Sequence, residues 1–363
     1  MGRMQEPDRM PTGADRRGSD DPVHFARRRS SPRRPTMIDV ANEAGVSQTT
    51  VSLVLNHADG ARLSLETRQR VIRAAARLGY HPVRRGGLVA PASVTSIGFV
   101  CDEISTDPWT AIGLDGVREK AWEHGLTVTV MVTRGDAEIE SAALAQLAVQ
   151  PLLGLIYATI NTRLVDPPAR MVAPTVLLNC HVADGSLPSI VPGETAGGHA
   201  ATDILLRAGH RRIGYINGEA SMEASRCRLR GHRQALATAD LPFDPELVRE
   251  GNWQPLSGYE ATRALMSLPA PPTAIFCAND LMAVGCYEAL RELNLKIPDD
   301  VAVMGYDDRE IAQHLHPPLT TVLLPHFEMG TIAAEILIDA ASGWAPRPRQ
   351  IKVECPIVRR KSA

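Results

Sequence analysis

The chain of 363 residues is poor in aromatic side chains, 4% of the total, and its six cysteines form no CxxC pair. Cys101, Cys180, Cys227, Cys277, Cys286 and Cys355 lie far apart, and a chain this long needs no disulfides to hold a core, so reduced thiols in a cytoplasmic protein are expected. No apolar run reaches the roughly 20 residues of a membrane-spanning helix. The segment 1–34 carries charges throughout and lacks the apolar stretch of a signal peptide, so export is not expected. A nucleophile elbow, a P-loop, a dinucleotide glycine fingerprint and metal-ligand spacings are all missing. His314-x-His316 beside Pro317 reads as a loop coincidence. Neither an enzyme nor a cofactor is therefore expected.

Net charge is also nearly absent, −2 over the whole chain, which taken alone argues against nucleic acid. The average conceals an asymmetry. Residues 1–90 hold 16 Arg, no Lys and 9 acids, a net +7, and the remaining 273 residues carry a net −9. Positive charge gathered in the first quarter is the footprint expected of a polyanion contact.

Five segments follow along the chain. Residues 1–34 are rich in Arg, Pro, Asp and Ser and are expected to stay disordered; their run Arg27-Arg28-Arg29 with Arg33-Arg34 is either a solvated tail or an arm that lies on phosphates. Segment 35–82 carries short helical patterns. Ile38, Val40, Ala41 and Ala44 form one apolar face ending at Gly45, Ser47 is placed to cap a second helix through Val51, Val54 and Leu55, and a third starts at Ser64 and stops at Gly79. Three short helices, the first two joined by Gly-Val-Ser, make a helix-turn-helix unit. Segment 83–96 reads as a linker. From 97 to 345, apolar strands alternate with helices, which implies parallel sheets with helices on both faces; nine or more strands imply two lobes with a cleft between them, divided near residue 192 with crossovers near 322. Segment 346–363 is a strand-like stretch, Gln350 to Val358, and a tail. Asp280 is expected to cap the helix that begins at Leu281.

Between Thr36 and about Ala345 the sequence resembles the lactose-repressor (LacI/GalR-type) family of bacterial transcription regulators. The resemblance rests on Ile38-Asp39-Val40-Ala41, Ala44-Gly45-Val46-Ser47, Thr50-Val51-Ser52 and Val54-Leu55-Asn56. It continues through Gly79-Tyr80-His81-Pro82, Gly209-His210-Arg211-Arg212-Ile213, Ala278-Asn279-Asp280, Gly305-Tyr306-Asp307-Asp308 and Pro318-Leu319-Thr320-Thr321. It implies an all-α helix-turn-helix headpiece joined to a two-lobed α/β sensor of the periplasmic-binding-protein type, and a dimeric repressor whose partners are a near-palindromic DNA operator and a small-molecule effector.

In such a headpiece the second helix enters the major groove, which makes Ser47, Gln48, Thr49, Thr50, Ser52, Leu53 and Asn56 the candidate DNA contacts. Gln48 can pair bidentately with adenine. Leu53 departs from the Arg common in the family, so base preference there is expected to differ. Phosphate anchors are expected from the helix start at Thr36, from Ser47 and Asn56, and from Arg62, Arg68, Arg84 and Arg85. The family's hinge helix, with its minor-groove wedge, corresponds here to Val83 through Pro91; Gly86-Gly87 weaken a helix, and Leu88 or Val89 is the candidate wedge against the alternative of a flexible tether. For the sensor the resemblance gives Trp109, Asn179, Arg228, Trp253, Asn279 and Asp307 as effector contacts. Their chemistry suits a sugar, with a nucleoside or purine-like ligand as the alternative. Gly193 and Asn179 stand where relatives often have acidic residues. A solute-binding protein or an enzyme with an accessory DNA head are the competing classes. Helices 110–124 and 280–293 offer apolar faces for a dimer interface or for the lobe cores.

Overall fold

The computed structural model describes residues 36–55, 96–166, 174–343 and 349–363, and within 56–95 only residues 67, 70, 71, 74, 75 and 77. The extension 1–34, Asn56, Arg62, Arg68, and the linker with Arg84, Arg85, Leu88 and Val89 lie outside the described residues, as do the side chains of Thr49, Ser52 and Leu53. Two compact units divide at Pro82/Val83.

In the first unit, helix α1 (Met37–Ala44) opens with a capping box. The backbone N–H of Asp39 donates to Thr36 Oγ1 at 3.3 Å, and Asp39 Oδ2 accepts from the Thr36 backbone N–H at 2.6 Å. The helix ends at Gly45, whose φ of 64° is the left-handed conformation that only glycine adopts without cost. The chain then turns into α2 (Gln48–Leu55), where Ser47 Oγ accepts the Thr50 N–H at 3.1 Å, the cap its position predicts. Residues 67, 70, 71, 74, 75 and 77 are helical, and Val71, Ala74 and Ala75 pack with Val40, Ala41, Ala44, Val51 and Val54 into one small core.

The second unit contains two parallel sheets. Strands β1 (Ser96–Cys101), β2 (Thr127–Val132), β3 (Leu152–Leu164), β4 (Thr175–His181) and β5 (Ser189–Pro192) form one of them, joined by β11 (Gln350–Val353), in the order β11-β5-β4-β3-β1-β2. Strands β6 (Ile213–Asn217), β7 (Val248–Glu250), β8 (Ala274–Cys277) and β9 (Ala302–Met304) form the other, ordered β7-β6-β8-β9. Helices α3 (Trp109–Glu123) and α4 (Ala137–Ala148) connect the early strands of the first lobe. In the second lobe α5 (Glu194–Arg207), α6 (Glu223–Thr238), α7 (Pro255–Met266) and α8 (Asp280–Glu292) surround the sheet, with the short α9 (Glu310–His314) after β9.

The chain passes between lobes three times: after β5, between β10 (Thr321–Val322) and α10 (His326–Ala341), and between β11 and β12 (Ile357–Val358). The stretch Gln350 to Val358 is thus two strands in two sheets, contrary to the single strand expected: β11 pairs with β5 and β12 runs antiparallel to β10. Pro356 between them has no N–H for a ladder. The Gly193 N–H donates to Val353 O at 2.7 Å and ties the first crossover to the third.

The buried faces of the two helices considered for a dimer are spent inside the lobes. Gly116 of α3 faces the backbone at Phe327 of α10, and Gly330 of α10 faces the backbone at Gly113 of α3, so closely that a β-carbon on Gly116 or Gly330 would collide. Gly285 of α8 meets the backbone of α7 at Pro255 and Tyr259 in the same way.

Candidate effector site and recognition helix

Loops following the C-terminal ends of both sheets converge on a cavity of about 280 Å³ between the lobes, the position at which open parallel sheets bind ligands. Trp109, Asn179, Arg228, Trp253, Asn279 and Asp307 all line it. The structure brings the six together and divides them by what their polar atoms already do.

Arg228, on α6, is 3% exposed and is committed almost completely within the protein. Its Nε and Nη2 donate to the two carboxylate oxygens of Glu194 at 2.7 and 2.8 Å, the fork geometry that suits a guanidinium. Its Nη1 donates to Ala278 O and, at 3.3 Å, to Asp307 Oδ1. The guanidinium also lies 3.7 Å from the ring centroid of Tyr306. Gly193 has no side chain to offer, and Glu194 beside it carries the carboxylate that meets Arg228. Burial pushes the Asp307 carboxyl up to about 7 even though Arg228 and Arg309 pull the other way.

The two asparagines are also engaged. Asn179 Nδ2 donates to Thr159 O and Ile160 O, both at 3.0 Å, and its Oδ1 accepts the Thr162 hydroxyl at 2.6 Å. Asn279 caps α8 through Oδ1, which accepts the Met282 N–H at 2.8 Å, while its Nδ2 holds Trp253 O at 3.0 Å. Asn279 therefore does what was expected of Asp280. The helix starts at Asp280 itself, whose wholly buried carboxylate accepts from Thr321 Oγ1 at 2.6 Å and from the Arg309 N–H at 2.8 Å. Burial and the neighbouring Asp307 raise the Asp280 pKa well above the usual carboxylate range.

The two tryptophans supply flat apolar surface. Trp253, at a φ of 67°, lies so close over Gly218 that a β-carbon there would collide with its indole. Trp109 stacks on His326 with ring centroids 5.3 Å apart and planes at 20°. Asp107, Glu194, Glu219, Arg309 and His326 complete the ionisable lining and were missed in the sequence. Of these, Arg309 and Asp107 had a readable signal, since each lies within two residues of a pocket candidate.

In the headpiece, Gln48 is exposed at the start of α2 and free of any side-chain capping duty, with Ser47 exposed beside it. Thr36 and Ser47 cap helices, so any DNA contact they make is shared with that role.

Residues 36–83 match the bacterial regulatory proteins of the lacI family, and residues 202–363 match the periplasmic binding protein-like domain. The ribose operon repressor of Escherichia coli K12 is 32% identical over 334 residues, covering 90% of this chain and 99% of that protein. The chain belongs to the LacI family. It is a DNA-binding, ligand-responsive transcription regulator. The CytR repressor of Escherichia coli K12 is 30% identical over 331 residues, 90% of this chain and 96% of that protein. Among solved structures, the cellobiose complex of the regulator CelR shares 32% identity at a TM-score of 0.62, covering 91% of this LacI-family chain and all of that one. The lac repressor dimer bound to operator and the anti-inducer ONPF shares 29% at a TM-score of 0.62, covering 91% and 99%. No helix among the described residues is long and apolar enough to cross a membrane, and no cluster of His, Cys, Asp and Glu among them is arranged to hold a metal.

Proposed function

We propose that the protein represses transcription in the cytoplasm as a dimer, each headpiece laying α2 in a major groove, and that a neutral sugar in the cleft sets its affinity for the operator. The observation that carries the effector class is the charge of the lining. Asp107, Glu194, Glu219 and Asp307 stand against Arg228 and Arg309, so an anionic ligand meets net negative charge, whereas sugar hydroxyls meet acceptors beside two indole faces. A cavity of about 280 Å³ is at the small end for ligand sites and suits a single sugar ring. Names of relatives such as the ribose operon repressor agree with that class.

On the DNA, Gln48 reads a base, Thr49, Thr50, Ser52, Leu53 and Asn56 line the groove, and Thr36, Ser47, Arg84 and Arg85 hold phosphates, with Leu88 or Val89 as the wedge. The Arg-rich run 27–34 adds backbone contacts. The protein is a binding switch with no catalytic role. A thermal-shift screen tests the effector: neutral aldoses are expected to raise the melting temperature, and their phosphates and nucleosides to leave it unchanged. Stabilisation by phosphorylated sugars alone contradicts this reading of the cleft.

A further inference from the structure

Of the two guanidinium groups in the cleft, Arg228 belongs to the second lobe, where Glu194, Ala278, Asp307 and Tyr306 occupy it. Arg309 is placed differently. It precedes α9 in the second lobe, is 19% exposed, and donates through Nη2 to Asp107 of the first lobe. Its guanidinium carbon also lies 4.8 Å from the ring centroid of Trp109, again in the first lobe. Its Nε is buried with no hydrogen-bond partner, 3.7 Å from Asp307 Oδ2.

The root of this side chain is rigid. The Arg309 N–H is held by Asp280, Asp280 is held by Thr321, and Asp307 and Asp308 sit at φ values of 110° and 52°, in a region that non-glycine residues enter only when the surroundings impose it. A second pair, His181 Nε2 and Glu223 Oε2 at 2.9 Å, also joins the lobes, and Glu223 lines a cavity beside the crossovers at Pro192 and Val353. The Arg309 contact therefore closes the cleft at the side where Trp109 lies. A buried donor without a partner is costly, and a sugar oxygen is an acceptor of the right kind to relieve it.

We propose that Arg309 couples effector occupancy to lobe closure. It straps the second lobe to Asp107 and Trp109, and an effector oxygen accepts from its free Nε, so the bound sugar and the strap reinforce each other. Being partly exposed, the ion pair alone holds weakly, which leaves room for the effector to change the balance. The proposal rests on the sugar-site reading for its ligand and on cross-lobe geometry for its strap, and the two are separable by experiment.

The test compares wild type with Arg309→Met, Arg309→Lys and Asp107→Asn, as full-length protein. Radius of gyration in solution without sugar is measured alongside calorimetric titration with D-ribose, D-xylose and D-glucose. Expected are a larger radius for Arg309→Met and Asp107→Asn, and about tenfold or greater loss of affinity in Arg309→Met for whichever sugar the wild type binds, the loss of a charge-assisted hydrogen bond. Arg309→Lys keeps a cation for Asp107 and lacks Nε, so it is expected to stay compact and still lose affinity. Unchanged radius in Arg309→Met, or unchanged affinity for a bound sugar, overturns the proposal. If the wild type binds none of the three sugars, the sugar reading fails, and the radius of Arg309→Met by itself upholds or overturns the strap.

Discussion

At the scale of single residues, the cleft is governed by which polar atoms are already spoken for. Arg228 joins two buried carboxylates, so its removal leaves Glu194 buried without a cation and Asp307 with only Arg309 at 3.7 Å, and Arg228→Met is expected to cost about 3–5 kcal/mol in urea unfolding besides abolishing the effector response. A loss below about 1 kcal/mol would reduce Arg228 to a ligand contact. The buried ionisable groups give opposing pH dependences. Burial holds the imidazole of His326 down at about 3, against 6.5 in the unfolded chain, so its contribution to stability is complete above pH 6.5 and is lost as pH falls toward 3. Asp307, raised from 3.8 to about 7, contributes most below pH 3.8 and loses that contribution as pH rises through 7. Denaturation of His326→Gln between pH 6.5 and 4 is therefore expected to show a weaker loss of stability on acidification than wild type; parallel curves contradict a neutral buried His326.

At the scale of elements, the recognition helix was readable because its signals are local. Gly45 at positive φ, the Ser47 cap and the spacing of Val51 and Val54 each act within a few residues. On that helix, Gln48→Ala is expected to relax preference at one base pair per half-site while leaving preference elsewhere intact, measured by in vitro site selection. An unchanged selected motif removes Gln48 from the readers. The alternation of strands and helices was equally legible, and the family resemblance supplied the six residues that line one cavity. What stayed hidden depends on partners distant in sequence. Strands β5, β7 and β10 are two to four residues long and too short to show a period, and the break of the expected Gln350 to Val358 strand into β11 and β12 follows from their separate partners, β5 and β10. Helix α10 carries a readable apolar face in Met329, Ala333, Ala334 and Leu337, yet its seat on α3 depends on backbone approach at Gly113, Gly116 and Gly330. Within the cleft, sequence motifs located Asn279 and Asn179 without revealing that their amides hold the protein's own backbone.

At the scale of the whole molecule, the near-zero charge is the sum of a basic first quarter and an acidic remainder, so attraction to a duplex is confined to the headpiece end of the sequence. The sensor adds two lobes joined by three crossovers and by ion pairs that span the cleft, an arrangement in which a small ligand changes the balance between open and closed forms. Coupling of that balance to DNA affinity is the central claim. It is tested most directly by fluorescence anisotropy of the full-length protein on DNA from its own upstream region, titrated from about 50–100 mM salt upward with and without the sugar that stabilises it. The account predicts binding tighter than to unrelated DNA, a linear fall of log affinity with log salt, and a shift of about tenfold or more on adding the sugar. No preference for the upstream DNA with or without sugar, or a sugar that saturates the cleft and leaves DNA affinity unchanged, would contradict it.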